Sequence, residues 1–108
     1  MQLADLPAAI AQRGSAVFLL TVGEVRPHVV SVSVAVVAGQ LEVGAGRRTA
    51  RNVADHPEVT LLWPHDDTHP DNSLLVDGTA SLTADGERLA IVASRAVLHR
   101  ASGRGPAC

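Results

Sequence analysis

Hydrophobic and polar positions alternate along this chain in short runs separated by turn residues, which predicts a small antiparallel β protein with two helical interruptions. The clearest run is His28 to Val37. Val30, Val32, Val34 and Val36 fall on one face, and Val29, Ser31, Ser33 and Ala35 on the other. One face is therefore core-like, and the other is small and partly polar. A strand over residues 16–22 precedes it across a turn from Gly23 to Pro27. Ala38-Gly39-Gln40 predicts a hairpin turn, and Leu41 to Ala45 the returning strand. Further strands are expected over Glu58 to Trp63, over Ser73 to Leu82 with a bend or bulge at Gly78, and over 87–93 with an extension at 96–99.

The interruptions are a helix over 3–13 and a second over roughly 48–56. Asp5 is placed to cap the first, with Pro7 in its opening turn and Gly14 just past its end. Pro57 stops the second. Pro64 to Asn72 reads as a polar loop, and 101–108 as a flexible C-terminal tail. Six strands with mostly short connections and one embedded helix predict a single domain over 1–100, a closed or partly closed barrel. Closure would hide the edges that valine-rich strands otherwise expose.

Composition narrows the chemistry. The chain has 108 residues and an apolar fraction of 46%, but only Phe18 and Trp63 are aromatic. The core must be built from Val, Leu, Ile and Ala, and so small a domain gains from self-association. All nine basic residues are Arg. The absence of Lys excludes a lysine Schiff base, a lysine nucleophile and a Walker-type phosphate loop. A net charge of −2 and few aromatics argue against a nucleic-acid partner. The single Cys, Cys108, allows neither an internal disulfide nor a cysteine metal site. Residues 1–13 lack the basic start and long apolar run of a signal peptide, and no run approaches the roughly 18–20 residues of a membrane span. A cytoplasmic protein without a membrane partner is expected.

The densest chemistry lies in Gly46-Arg47-Arg48-Thr49-Ala50-Arg51-Asn52. Three arginines fall within five positions at the start of the second helix. Helix starts carry free N–H groups and partial positive charge, and the guanidinium fork grips phosphate oxygens in pairs, so the segment reads as a phosphate clamp. The plainer reading is a solvated helix face. Ser31 and Ser33, alternating opposite the valine face, suit either the floor under a flat ring or an ordinary exposed strand surface. His28 reads as a half-buried packing residue or a groove residue. The loop from His65 to Asp71 has ligand types that suit a divalent ion, but nothing makes them converge, and no metal site is expected. Its expected role is a rim over the groove. Trp63 reads as core or interface. No Ser-His-Asp or Cys-His set is spaced for catalysis.

The segments "RPHVVSVSV", "GQLEVGAGRRTARNVADHPEVTLLW" and "LLVDGTASL" together resemble the pyridoxamine-phosphate-oxidase-like, FMN-binding split-barrel family over roughly residues 14–92. The stretch from Gly46 to Trp63 carries most of it: a basic pair, a short helix that ends before proline, and a strand that ends at an aromatic. The resemblance implies a six-stranded antiparallel split β-barrel that dimerises, with FMN in a groove between two subunits. It also implies oxidoreductase chemistry on a small-molecule substrate. Arg47, Arg48 and Thr49 match the phosphate-holding positions, and Arg51 and Asn52 follow on the helix. Val30, Ser31, Val32 and Ser33, with Val43 and Gly44, match the positions that contact the ring. Thr49 stands where the family often has lysine. The chain has only Arg95 and His99 near the place of the oxidase's longer substrate-binding segment, so that enzyme's own reaction is not expected. A deazaflavin (coenzyme F-420) reductase and a non-catalytic flavin or haem binder are the alternatives, and the Arg- and Ala-rich, Lys-free composition fits the GC-rich genomes in which the deazaflavin is common.

Overall fold

The computed structural model describes residues 1–100; the expected tail over 101–108 lies outside them. Six strands form the barrel: β1 (Ala16–Val22), β2 (Pro27–Val37), β3 (Gln40–Gly44), β4 (Glu58–Trp63), β5 (Asn72–Leu82) and β6 (Arg88–Arg100). All pairings are antiparallel, and the circumference runs β1-β2-β3-β6-β5-β4 before closing on itself. Helix α1 (Leu6–Arg13) precedes β1, and α2 (Arg47–Asp55) carries the chain from β3 to β4. Among the described residues no helix is long and apolar enough to cross a membrane.

The core is aliphatic, as the lack of aromatics requires. Leu19, Val43, Leu61, Leu74 and Leu89 are wholly enclosed. Alternation puts one residue in two inside, which is clearest in β1 and β4. α1 adds Leu6 and Ile10 to the same cluster. Trp63, at the end of β4, is also buried, and its indole Nε1 donates to the Gly14 carbonyl at 2.9 Å.

The first helix differs from expectation. A 3-10 turn over Leu3–Asp5 comes first, and Asp5 makes no capping hydrogen bond. Its backbone is already helical (φ −84°, ψ −8°), whereas a capping side chain reaches the first free N–H groups from an extended backbone. The last strand is also longer than expected: β6 runs unbroken from Arg88 to Arg100 and pairs with the whole of β5.

The bulge expected at Gly78 is present. Register shifts between Asp77 and Gly78, so that Asp77 faces Arg95 while Gly78 faces Ala93. Ser94 is the extra residue, and its hydroxyl donates to the Asp77 carbonyl at 3.2 Å. A Cβ on Gly78 would stand 2.6 Å from the Val92 carbonyl oxygen and 2.8 Å from Ile91 Cγ2. Gly78→Ala is therefore expected to destabilise the barrel by about 1–3 kcal/mol, the usual cost of overpacking. Urea denaturation measures this, and an unchanged midpoint would show that the bulge opens to admit the methyl group.

The valine face of β2 is not uniformly core. Val34 is buried, Val30 and Val32 are half-buried against the cluster, and Val36 is exposed. The cause is a change of partner along one strand. β1 pairs with β2 as far as Ser33, whereas β3 pairs only from Val34 to Val37. From His28 to Ser33, β2 therefore has no strand on its β3 side among the described residues. The barrel is split there.

A candidate flavin groove at the split in the barrel

The open edge of β2 forms one wall of a groove of about 630 Å³, lined by His28, Val30, Ser31, Val32, Ser33, Gly44, Gly46, Arg47, Arg48, Thr49 and Arg88. β3 ends at Gly44, and the chain turns at once into α2, whose N-cap is Gly46. Glycine has no side chain to return to the helix, and no side-chain cap is formed. The first amides of α2 are thus left for another acceptor. Arg47 and Arg48 flank them, exposed to solvent.

Among the described residues the ion pairs are Arg88–Glu42 and the contact between His69 and Asp66, so Arg47, Arg48 and Arg51 carry uncompensated charge. Arg47 and Arg48 beside a helix N-terminus, next to an apolar wall of half-buried valines, suit a ligand with an anionic end and a flat body. The groove meets that description without rearrangement of the chain.

Eight of the eleven site residues named from the sequence meet in this groove: Arg47, Arg48, Thr49, Val30, Ser31, Val32, Ser33 and Gly44. Val43 is wholly buried, so its side chain belongs to the core. Arg51 lines a second depression of about 310 Å³ between α2 and the β1–β2 connection, with Gly23, Glu24, Val25, Arg26, Pro27, His28, Arg48 and Asn52. Arg48 and His28 border both spaces. Asn52 is buried, and its amide nitrogen donates to the Thr21 hydroxyl at 3.0 Å. Thr21 Oγ1 lies 3.4 Å from His28 Nδ1. A polar chain therefore pins α2 to β1 and to the groove wall.

Three groove residues, His28, Gly46 and Arg88, were not among the eleven site positions read from the sequence, which offered His28 as either a packing or a groove residue. Arg88 pairs with Gly44 across β3 and β6. No local pattern signals that contact, because the two strands are far apart in the chain.

The loop expected as a rim contributes no residue to this groove. It is organised around Asp66, whose Oδ1 accepts the backbone N–H groups of Thr68 at 3.0 Å and His69 at 2.7 Å. The hydrogen bond from the His69 backbone holds the Asp66 carboxyl below its ordinary range. Among the described residues no three His, Cys, Asp or Glu side chains gather as a metal site would need.

The fold is that of the pyridoxamine 5'-phosphate oxidase-like split barrels. A Listeria innocua protein described as a candidate pyridoxamine 5'-phosphate oxidase superposes with a TM-score of 0.72 at 21% identity, over 90% of this chain and 98% of that one. The haem storage protein HutZ of Vibrio cholerae gives 0.68 at 17% identity, over 91% and 95%. The conserved hypothetical protein Rv2991 of Mycobacterium tuberculosis gives 0.69 at 18% identity, over 93% and 85%. In sequence, uncharacterized proteins of Mycobacterium bovis and Mycobacterium tuberculosis are each 45% identical over 60 residues, which is 51% of this chain and 42% of theirs. The chain thus matches less than half the length of those relatives. No family model matches it.

Proposed function

We propose that this protein binds FMN in the groove at the split, as a homodimer, and serves as a flavin-dependent oxidoreductase for a small molecule. One observation carries the reading. Arg47, Arg48, Thr49 and the uncapped start of α2 share a single cavity with the open edge of β2 from Val30 to Ser33. The arginines and amides would hold the phosphate. The valine and serine stretch would lie against the ring, with backbone groups of the unpaired edge free to hydrogen-bond it. When bound, the cofactor supplies hydride or electron transfer, and the chain's part is to bind, orient and exclude water.

The dimer reading has its own support. Phe18, Val22, Val29 and Val37 are large apolar residues on the outward face of β1 and β2, each between 40% and 52% exposed. In β1 they alternate with enclosed residues and in β2 with half-buried valines, and the pairing of β1 with β2 puts Phe18, Val22 and Val29 on one face. A second copy covering it would also cover Ser31 and Ser33, which pair with Phe18 and Ala16, and so would wall the groove.

Coenzyme F-420 has the same combination of flat ring and phosphate and is the alternative cofactor. A binder without catalysis, for flavin or haem, is the second reading. It draws on the makeup of the groove, whose lining holds one imidazole, His28, and no carboxylate or thiol.

Native mass spectrometry of the purified protein with FMN or the deazaflavin added in turn tests the proposal. One cofactor per subunit in a dimer is the expected result. A monomer that holds neither would sink it. Reduction of bound FMN by a nicotinamide, followed by turnover, would separate enzyme from binder.

A further inference from the structure

Arg88 is poised in a way that neither fold stability nor phosphate binding explains. Gly44 pairs with Arg88 and Glu42 with Ala90, so Glu42 and Arg88 are diagonal neighbours on the outward face of β3 and β6. Arg88 Nε donates to Glu42 Oε1 at 3.2 Å. Within residues 1–100 the Arg88 side chain makes no other hydrogen bond, so the four N–H bonds of its terminal amino groups have no protein acceptor.

The pair is half open to solvent, at 41% for the Arg88 side chain and 23% for Glu42. Such pairs add little to stability. Beside it the floor is bare: Gly44 has no side chain, and a Cβ built there would meet nothing within 4 Å. Glu42 also lies two residues before Gly44 along β3, away from Gly46 where α2 begins. Its carboxylate draws the guanidinium away from the helix start, while Arg88 still lines the groove together with Gly44 and Ser33.

We infer that Arg88, aimed by Glu42, is a specificity residue that reads carbonyl acceptors on the flat ring of the ligand rather than its phosphate. Binding Nε leaves the two Nη groups as a fork, which suits adjacent acceptors on a planar edge. Glu42 is the positioning residue. The inference rests on the flavin-groove reading and extends it.

The test compares FMN with riboflavin, the same ring without the phosphate. Dissociation constants are read from quenching of flavin fluorescence, with circular dichroism and thermal melts confirming that each variant folds. Arg88→Ala is expected to weaken both ligands by the same factor, about ten-fold, the scale of one charged hydrogen bond; Arg88→Gln serves if the alanine variant does not fold. Arg88→Lys keeps the charge but not the fork and is expected to restore neither. Glu42→Ala should weaken both ligands less, and should add nothing once Arg88 is gone. Arg48→Ala is expected to weaken FMN and leave riboflavin unchanged. An Arg88 variant that leaves both constants within two-fold overturns the inference alone. So does one that weakens FMN only, since Arg88 would then be an arm of the phosphate clamp. A wild-type protein that binds neither flavin overturns this inference together with the flavin reading.

Discussion

Trp63→Ala is expected to cost about 3–5 kcal/mol of folding stability, the range for deleting a large buried aromatic. Trp63 is the single tryptophan of the chain, and only 2% of it is exposed. Among the fully enclosed side chains it is the largest; the rest are Leu, Ile and Val. Aliphatic neighbours on barrel strands are fixed by cross-strand pairing and cannot close in on the space. Most of the cavity would remain, and the cost rises with cavity volume. The substitution also strands a backbone group, since the Gly14 carbonyl would lose the indole N–H that it accepts at 2.9 Å. That bond ties the end of β4 to the junction of α1 and β1. Trp63→Phe separates the two losses, because it keeps a ring while removing the donor. Its expected cost is about 1–3 kcal/mol, from the unsatisfied carbonyl. Domains of this size have roughly 5–15 kcal/mol in total, so the alanine variant should melt far below the wild type. Both variants lose the intrinsic fluorescence probe, and far-UV circular dichroism against urea is the measurement. An alanine variant within 1 kcal/mol of the wild type, on that order-of-magnitude scale, would show that α1 collapses onto the gap.

The barrel was largely legible because its elements are short and alternate cleanly. The bulge at Gly78 was legible too, since an isolated glycine inside a strand pattern has few other uses. Local pattern does not say which strands become neighbours. β3 lies beside β6 and β4 beside β1, and neither adjacency leaves a mark on periodicity. The split follows from those adjacencies. Residues 28–37 read as one continuous strand, and only the structure reveals that β2 trades β1 for β3 at Ser33 and Val34. Arg88 was opaque for the same reason. Asn52 was obscured differently: Thr49, Asn52 and Val53 form the buried side of α2, and two of the three are polar. Periodicity counts polar positions as outward-facing, so an amide that anchors the helix reads like one waiting for a ligand. Thr21, its partner, sits inside a strand as an apparently ordinary polar residue. The arginines were legible because three of them fall within five positions at a helix start.

Replacing Arg47 and Arg48 together by alanine is expected to remove most of the affinity for FMN, about 3–6 kcal/mol if each guanidinium makes one charged hydrogen bond worth about 1.5–3 kcal/mol. That corresponds to a loss of roughly two to four orders of magnitude in the dissociation constant. That range is the sum of two independent losses; the two side chains are adjacent and would share one phosphate, so the double variant should fall toward its lower end. Stability should scarcely change. Both residues are exposed and neither is in an ion pair among the described residues, and surface substitutions of that kind stay within about 0.5 kcal/mol. Mutual repulsion among Arg47, Arg48 and Arg51 even favours a small gain. Salt adds a second, independent signature. Affinity that depends on exposed charges falls as the ionic strength rises, so salt should weaken FMN binding to the wild type more than to the double variant. Riboflavin should show neither effect. Should FMN keep its affinity without the two arginines, the phosphate must lie elsewhere. The neighbouring depression bordered by Arg26 and Arg51 would then be the place to look, with the ring turned end for end along β2.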